Sequence, residues 1–131
     1  MLAAAKREKE GWIDGESAEK FSCEDLRMID REWLNASGGK FGFSVQLAIY
    51  KQAGIAIWSL NLYLLAEAVG WQVNGNWKDY SDLTWSTNAP SLAPKGHLPQ
   101  LGRGRVKGVL GVWEGFVNAD PLSSRAVVCE L

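Results

Sequence analysis

Ser22-Cys23-Glu24-Asp25-Leu26-Arg27-Met28-Ile29-Asp30-Arg31-Glu32-Trp33-Leu34-Asn35-Ala36-Ser37-Gly38-Gly39 is the stretch from which the fold is read. Ser22 has a hydroxyl able to accept an amide of the first turn, with Asp25 three residues on. Leu26, Ile29, Trp33 and Leu34 recur at helical spacing and share one face. The two glycines then tolerate the left-handed conformation that closes a helix. The sequence therefore predicts a helix near 23 to 35 that buries one face.

Reading outward, Phe41 and Phe43 follow in a turn, and Ser44 can cap a second helix whose Val45, Ala48, Ile49 and Gln52 share a face before Gly54. A third helix is predicted over 57 to 69, with Trp58, Leu62, Leu65, Ala66 and Val69 at helical intervals and Gly70 at its end. Trp71-Gln72-Val73-Asn74-Gly75-Asn76-Trp77 centres on Asn-Gly, a strong short hairpin signal, so a small turn projects from the helical body. Residues 78 to 104 read as irregular, because Pro90, Pro94 and Pro99 forbid a long helix. So long a loop inside one domain usually has a working role. Val106, Val109, Leu110, Trp113, Phe116 and Val117 restore a helical stripe among Gly104, Gly108, Gly111 and Gly115. Upstream, residues 1 to 20 are rich in Lys, Glu and Ala and lack a sustained stripe. The organisation expected is a helix remnant and linker over 1–21 and an all-α domain over 22–131.

The composition narrows the function. A chain of 131 residues that is 47% hydrophobic can bury one core. Fourteen Lys and Arg against 15 Asp and Glu leave a net charge of -1, so no overall field draws the chain to nucleic acid or to a membrane. No apolar run approaches the length needed to cross a bilayer. The amino end reverses the order of a signal peptide, with basic residues after Met1-Leu2-Ala3-Ala4-Ala5. Cys23 and Cys129 lie far apart and do not resemble the dense framework of a small secreted domain, which points to a reducing compartment. Seven Trp stand beside three Tyr and four Phe, an unusual share of flat apolar rings, although most such rings simply fill a core.

Several motifs fail on inspection. Gly39-Lys40 is followed by Phe41, where a phosphate loop needs Ser or Thr. Gly102-Arg103-Gly104 follows a proline-containing coil in place of a strand, so it makes no dinucleotide loop. His97 is the only histidine, without a nucleophile signature around Cys23, Cys129 or any Ser, and no short ligand spacing suggests a metal. The chain reads as a binding protein and not an enzyme.

What remains is aromatic and basic. Phe41-Gly42-Phe43 brings two rings around a glycine just before a helix. Trp77, Tyr80 and Trp85 lie in irregular chain where no periodic core face demands them, and Lys95, Arg103, Arg105 and Lys107 follow. Such a set suits a planar apolar ligand bearing carboxylates, the rings covering its face and the cations meeting its edge. The rival is single-stranded nucleic acid held by stacking and phosphate contacts, and the near-neutral charge counts against it.

Cys23-Glu24-Asp25-Leu26-Arg27-Met28-Ile29-Asp30 before Trp33, Gly39-Lys40-Phe41-Gly42-Phe43-Ser44-Val45-Gln46, and Ala93-Pro94-Lys95-Gly96-His97-Leu98-Pro99 together resemble the signature of the Genomes Uncoupled four family. Gly70-Trp71, Gly75-Asn76-Trp77, Leu83-Thr84-Trp85 and Ser123-Ser124-Arg125 near Cys129 follow the family's order, so the resemblance covers most of 20 to 129. It implies a cupped all-helical domain that holds protoporphyrin IX or magnesium protoporphyrin IX, in some relatives a linear bilin. Such a domain promotes magnesium insertion by magnesium chelatase, through that enzyme's large subunit, without catalysing it. By position, Phe41, Phe43 and Val45 would face the cup, Trp77, Tyr80 and Trp85 would form its mobile rim, and Arg103 and Arg105 would meet the propionates. The setting implied is a cyanobacterial-type cytoplasm or plastid stroma, with peripheral membrane attachment compatible.

The departures are specific. Leu47 and Ala48 stand where the family usually has a basic pair, and Asp79 where some relatives are basic. Ala89 to Pro94 resembles a short duplication that lengthens the rim, and the chain begins after the first helix or two of the usual domain. These leave open a sensor or interaction domain that binds a bilin or porphyrin without chelatase contact.

Overall fold

In the computed structural model, residues 3–4, 6–9, 13, 15–54, 62–84, 93–99 and 121–131 are described. A short helix, α1 (Gly15–Glu19), leads into α2 (Cys23–Ser37). Ser22 caps α2 through its side chain, which accepts the Asp25 amide at 3.4 Å, and Gly38 closes it in the left-handed conformation. The predicted helix is present and runs two residues beyond its predicted end at 35.

Next comes α3 (Phe43–Gln52), whose cap differs from the sequence expectation. Ser44 lies inside the helix, and the N-cap is Gly42, which offers no side chain. The missing acceptor comes from α2: Asp30 Oδ1 accepts the Ser44 amide at 3.0 Å. A carboxylate there satisfies an orphan helix donor and faces the positive end of the helix dipole. Gly42 has φ 142°, and a Cβ on it would lie 2.7 Å from Asp30 Oδ1. Only glycine fits so close an approach. The face of α3 also turns from the one expected: Phe43, Gln46, Leu47 and Tyr50 are buried with Val45, while Gln52 is exposed.

The described part of the next helix is α4 (Leu62–Ala68), ended by a turn in which the Trp71 amide bonds back to Ala66 O. The Asn-Gly signal forms a two-stranded antiparallel hairpin, β1 (Gln72–Val73) and β2 (Asn76–Trp77), with Asn74 and Gly75 both at positive φ. A short 3-10 turn over Tyr80–Asp82 follows. The helix-rich fold thus carries one small sheet. The stripe from Val106 to Val117 falls outside the described residues.

The chain closes on α5 (Pro121–Val128), an unpredicted helix whose first residue is a proline suited to that position. It packs against α1, α2 and α3. Arg27 Nη2 donates to Cys129 O at 2.6 Å, and Arg125 Nε donates to Phe21 O at 2.8 Å. A disulfide joins Cys23 to Cys129 across 106 residues of sequence. That separation hid from the sequence a pair of cysteines that α2 and α5 bring together, and the bond runs against the reducing-compartment expectation.

The main core gathers Phe21, Leu26, Phe43, Leu47, Tyr50, Leu65, Val69, Trp71 and Leu83 with residues of α5. Phe41, Ala93 and Leu98 form a smaller cluster, with Trp33 packed against it. Among the described residues, no helix is long and apolar enough to cross a membrane.

Candidate functional site

The irregular segment 93–99 is mostly buried, with only Pro94 and Lys95 exposed. Ala93 and Gly96 to Pro99 are buried, which demands partners for their backbone groups. The start of α3 supplies several. Gly42 N–H donates to Leu98 O at 2.9 Å, and Gly96 N–H donates to Lys40 O at 2.9 Å. Gln46, 1% exposed, donates both hydrogens of its amide, to Gly96 O at 2.8 Å and to Pro99 O at 2.7 Å. Because both partners are acceptors, the amide orientation is fixed. Among the described residues Gln46 Oε1 has no partner. Gly96 has φ 77°, and a Cβ on it would lie 2.7 Å from Ile49 Cδ1, so the segment approaches α3 as closely as glycine permits.

His97 is the hub of this region. Its Nδ1 lies 2.6 Å from Val69 O, and its Nε2 lies 3.2 Å from the Thr84 amide nitrogen. A carbonyl only accepts and an amide only donates, so both contacts are met by the neutral ring protonated on Nδ1. The His97 carbonyl accepts Trp71 Nε1–H at 2.7 Å. Burial pushes the ring's pKa below the usual histidine value, the bond to Val69 O opposes that shift, and the Lys78 charge adds to it.

The residues expected to hold a ligand distribute unevenly. Phe41 is 0% and Phe43 1% exposed, in the smaller and the main cluster respectively, and neither ring offers a solvent-facing surface. The aromatic turn therefore ties the two clusters together. Val45 is buried. Trp77 ends the hairpin half-buried against the main core. Tyr80 opens the 3-10 turn, with its side chain outside the described set, and Trp85, Arg103 and Arg105 are also outside it. A separate shallow groove lined by Glu19, Ser124, Arg125 and Val128 contains none of these candidates. Among the described residues no cluster of His, Cys, Asp or Glu could hold a metal ion.

Sequence reasoning missed the work of Asp30, Gln46 and His97. Each stands inside a block that carries the family resemblance, and each proves to be a buried polar group that bonds a distant backbone.

Among the described residues, short helices, one two-stranded hairpin and a buried polar hub at His97 define a helix-rich module. The chain belongs to the GUN4-like family, whose model matches residues 1–113. A Ycf53-like protein of Synechocystis is 32% identical over 101 residues, covering 76% of this chain and 40% of that protein. An uncharacterised ycf53 protein of Porphyra purpurea is 33% identical over 102 residues, covering 75% of this chain and 38% of that one. The chain thus spans about two-fifths of the length of these curated relatives. The ligand-free structure of Arabidopsis thaliana GUN4 matches with a TM-score of 0.58 at 26% identity, over 76% of this chain and 66% of that one.

Proposed function

We propose that this chain is an accessory tetrapyrrole-binding domain, not an enzyme, whose ligand is protoporphyrin IX or its magnesium complex. Membership of the GUN4-like family is the observation that carries the reading. The half-buried Trp77 at the base of the hairpin fits it, because the ring packs against the main core without being fully enclosed. Tyr80 and Trp85 complete the aromatic surface in this proposal, and Val45 lies beneath it. Arg103 and Arg105 pair with the propionates, and Phe41 and Phe43 are its buried footing. A tetrapyrrole of ~40 heavy atoms at ~0.3 kcal/mol each sets a ceiling near -12 kcal/mol, and an open surface falls short of that. In this reading the rings supply affinity and the arginines orient.

Titrating the purified chain with protoporphyrin IX and with a linear bilin, following Trp quenching, tests the proposal. Saturable quenching by protoporphyrin is expected, with weak dependence on salt. Steep salt dependence together with binding to single-stranded DNA would replace this reading with the nucleic-acid one. Stimulation of magnesium chelatase, through its large subunit, is the second part of the proposal. Leu47 bears on it: the residue standing where the family usually has a charge is 4% exposed and belongs to the core. That favours, as the alternative, a binding or sensor domain without chelatase contact. Ligand binding with no stimulation in a chelatase assay would select it.

A further inference from the structure

Both ends of the segment that carries Trp77 are fastened to one residue. Trp71, immediately before β1, donates its indole N–H to the His97 carbonyl at 2.7 Å. Thr84, which follows the 3-10 turn and precedes Trp85 in sequence, donates its amide to His97 Nε2 at 3.2 Å. Between them lie the hairpin, Trp77 and Tyr80. His97 itself is immobilised: it is 1% exposed, its Nδ1 is held by Val69 O at the end of α4, and its peptide lies in the segment that Gln46 grips from α3.

We propose that His97 is the positioning residue of the hairpin segment, its Nδ1-protonated ring closing residues 71 to 84 into a loop of set geometry and so positioning Trp77 toward a planar ligand. The inference rests on the binding reading above for its ligand, but the tether stands on its own contacts. The Thr84 amide is a half-buried donor whose partner in the structure is this ring nitrogen. A ring that flips or changes tautomer would set an N–H against that N–H or leave it unpaired. Preorganisation of a binding surface acts by removing the ordering that the ligand would otherwise impose, and it is felt chiefly in the dissociation rate.

Two amide substitutions separate the ring's two contacts. His97→Asn places a donor near the position of Nδ1 and keeps the bond to Val69 O, but nothing reaches Thr84. His97→Gln places an acceptor near the position of Nε2 and keeps Thr84 while giving up Val69. Without ligand, ring nitrogen shifts in the parent protein should report protonation on Nδ1. Thr84 amide exchange should be slow in the parent and in His97→Gln, and about tenfold faster in His97→Asn, the scale of one modest hydrogen bond. With protoporphyrin IX as the probe, His97→Asn should bind about three- to tenfold more weakly, mostly through faster dissociation, and His97→Gln should bind close to the parent. Equal Thr84 exchange in both variants, or an Nε2-protonated ring, overturns the tether. Faster Thr84 exchange with unchanged affinity in His97→Asn overturns its role in binding. A parent protein that binds no protoporphyrin while the exchange pattern holds overturns the ligand reading and leaves His97 as the residue that sets the hairpin segment.

Discussion

Asp30 on α2 caps α3: its Oδ1 receives the Ser44 amide at 3.0 Å across 14 residues of sequence, from a side chain that is itself buried. The contact does for α3 what no residue at its own N-terminus can do, because Gly42 has no side chain. Asp30→Ala should therefore lower unfolding free energy by about 1–3 kcal/mol, combining a lost cap with a stranded donor. Asp30→Asn keeps an acceptor oxygen and should lose less. Denaturant midpoints of the two variants check this; equal losses would mean the shape of the side chain matters and its oxygen does not.

Phe43→Ala should act on folding. With the ring 1% exposed among Phe21, Leu26, Leu47 and Tyr50, truncation should cost about 3–5 kcal/mol. Affinity for protoporphyrin of the fraction that remains folded should change little. A small shift in denaturant midpoint with a large loss of affinity would restore the ring to a ligand-facing role.

Acid should weaken the fold through His97. Its pKa is lowered in the folded state, mainly by burial, so the unfolded chain binds the proton more readily. Stability from this group is complete well above the usual histidine pKa of 6.5 and is lost as pH falls through that value toward the folded pKa. His97→Gln does not titrate, so the parent should lose more stability than this variant between about pH 7.5 and pH 5.5. Parallel losses measured by urea unfolding at the two pH values would show the ring to be uncoupled from folding.

Arg103 and Arg105 select for carboxylates in the binding proposal. Replacing both by Gln should weaken protoporphyrin binding and spare its dimethyl ester, since a guanidinium matches a carboxylate with paired donors. Losses of about 1 kcal/mol or less per arginine are expected for partly exposed pairs. Equal loss for acid and ester, by fluorescence titration, would remove these residues from the site.

The parts of the fold that could be read from sequence are those decided locally. Ser22 and Gly38 bracket α2, and Asn74-Gly75 makes the hairpin, because capping and turn geometry depend on neighbours within a few residues. The cap of α3 was misread because Ser44 has the right chemistry and the wrong position, while Asp30 does the work from another helix. Eight residues of α5 gave too short a stripe to register. His97 is the sharpest case: its partners at Thr84, Trp71 and Val69 lie 13, 26 and 28 residues away, so no local pattern could announce them. Trp77 stood out as a ring that periodicity did not require, and the structure packs it half-buried against the main core, whereas the burial of Ala93 and of Gly96 to Pro99 depends on packing that only the assembled chain displays.

The bond between Cys23 and Cys129 closes the polypeptide between them into a ring, enclosing α2, α3, α4, the hairpin and α5 in one covalent circuit. A single cut anywhere in that circuit opens the circle without releasing a piece. A protease that nicks the backbone once between these residues should therefore leave one species of unchanged mass, apart from an added water, until a thiol reductant separates it into two.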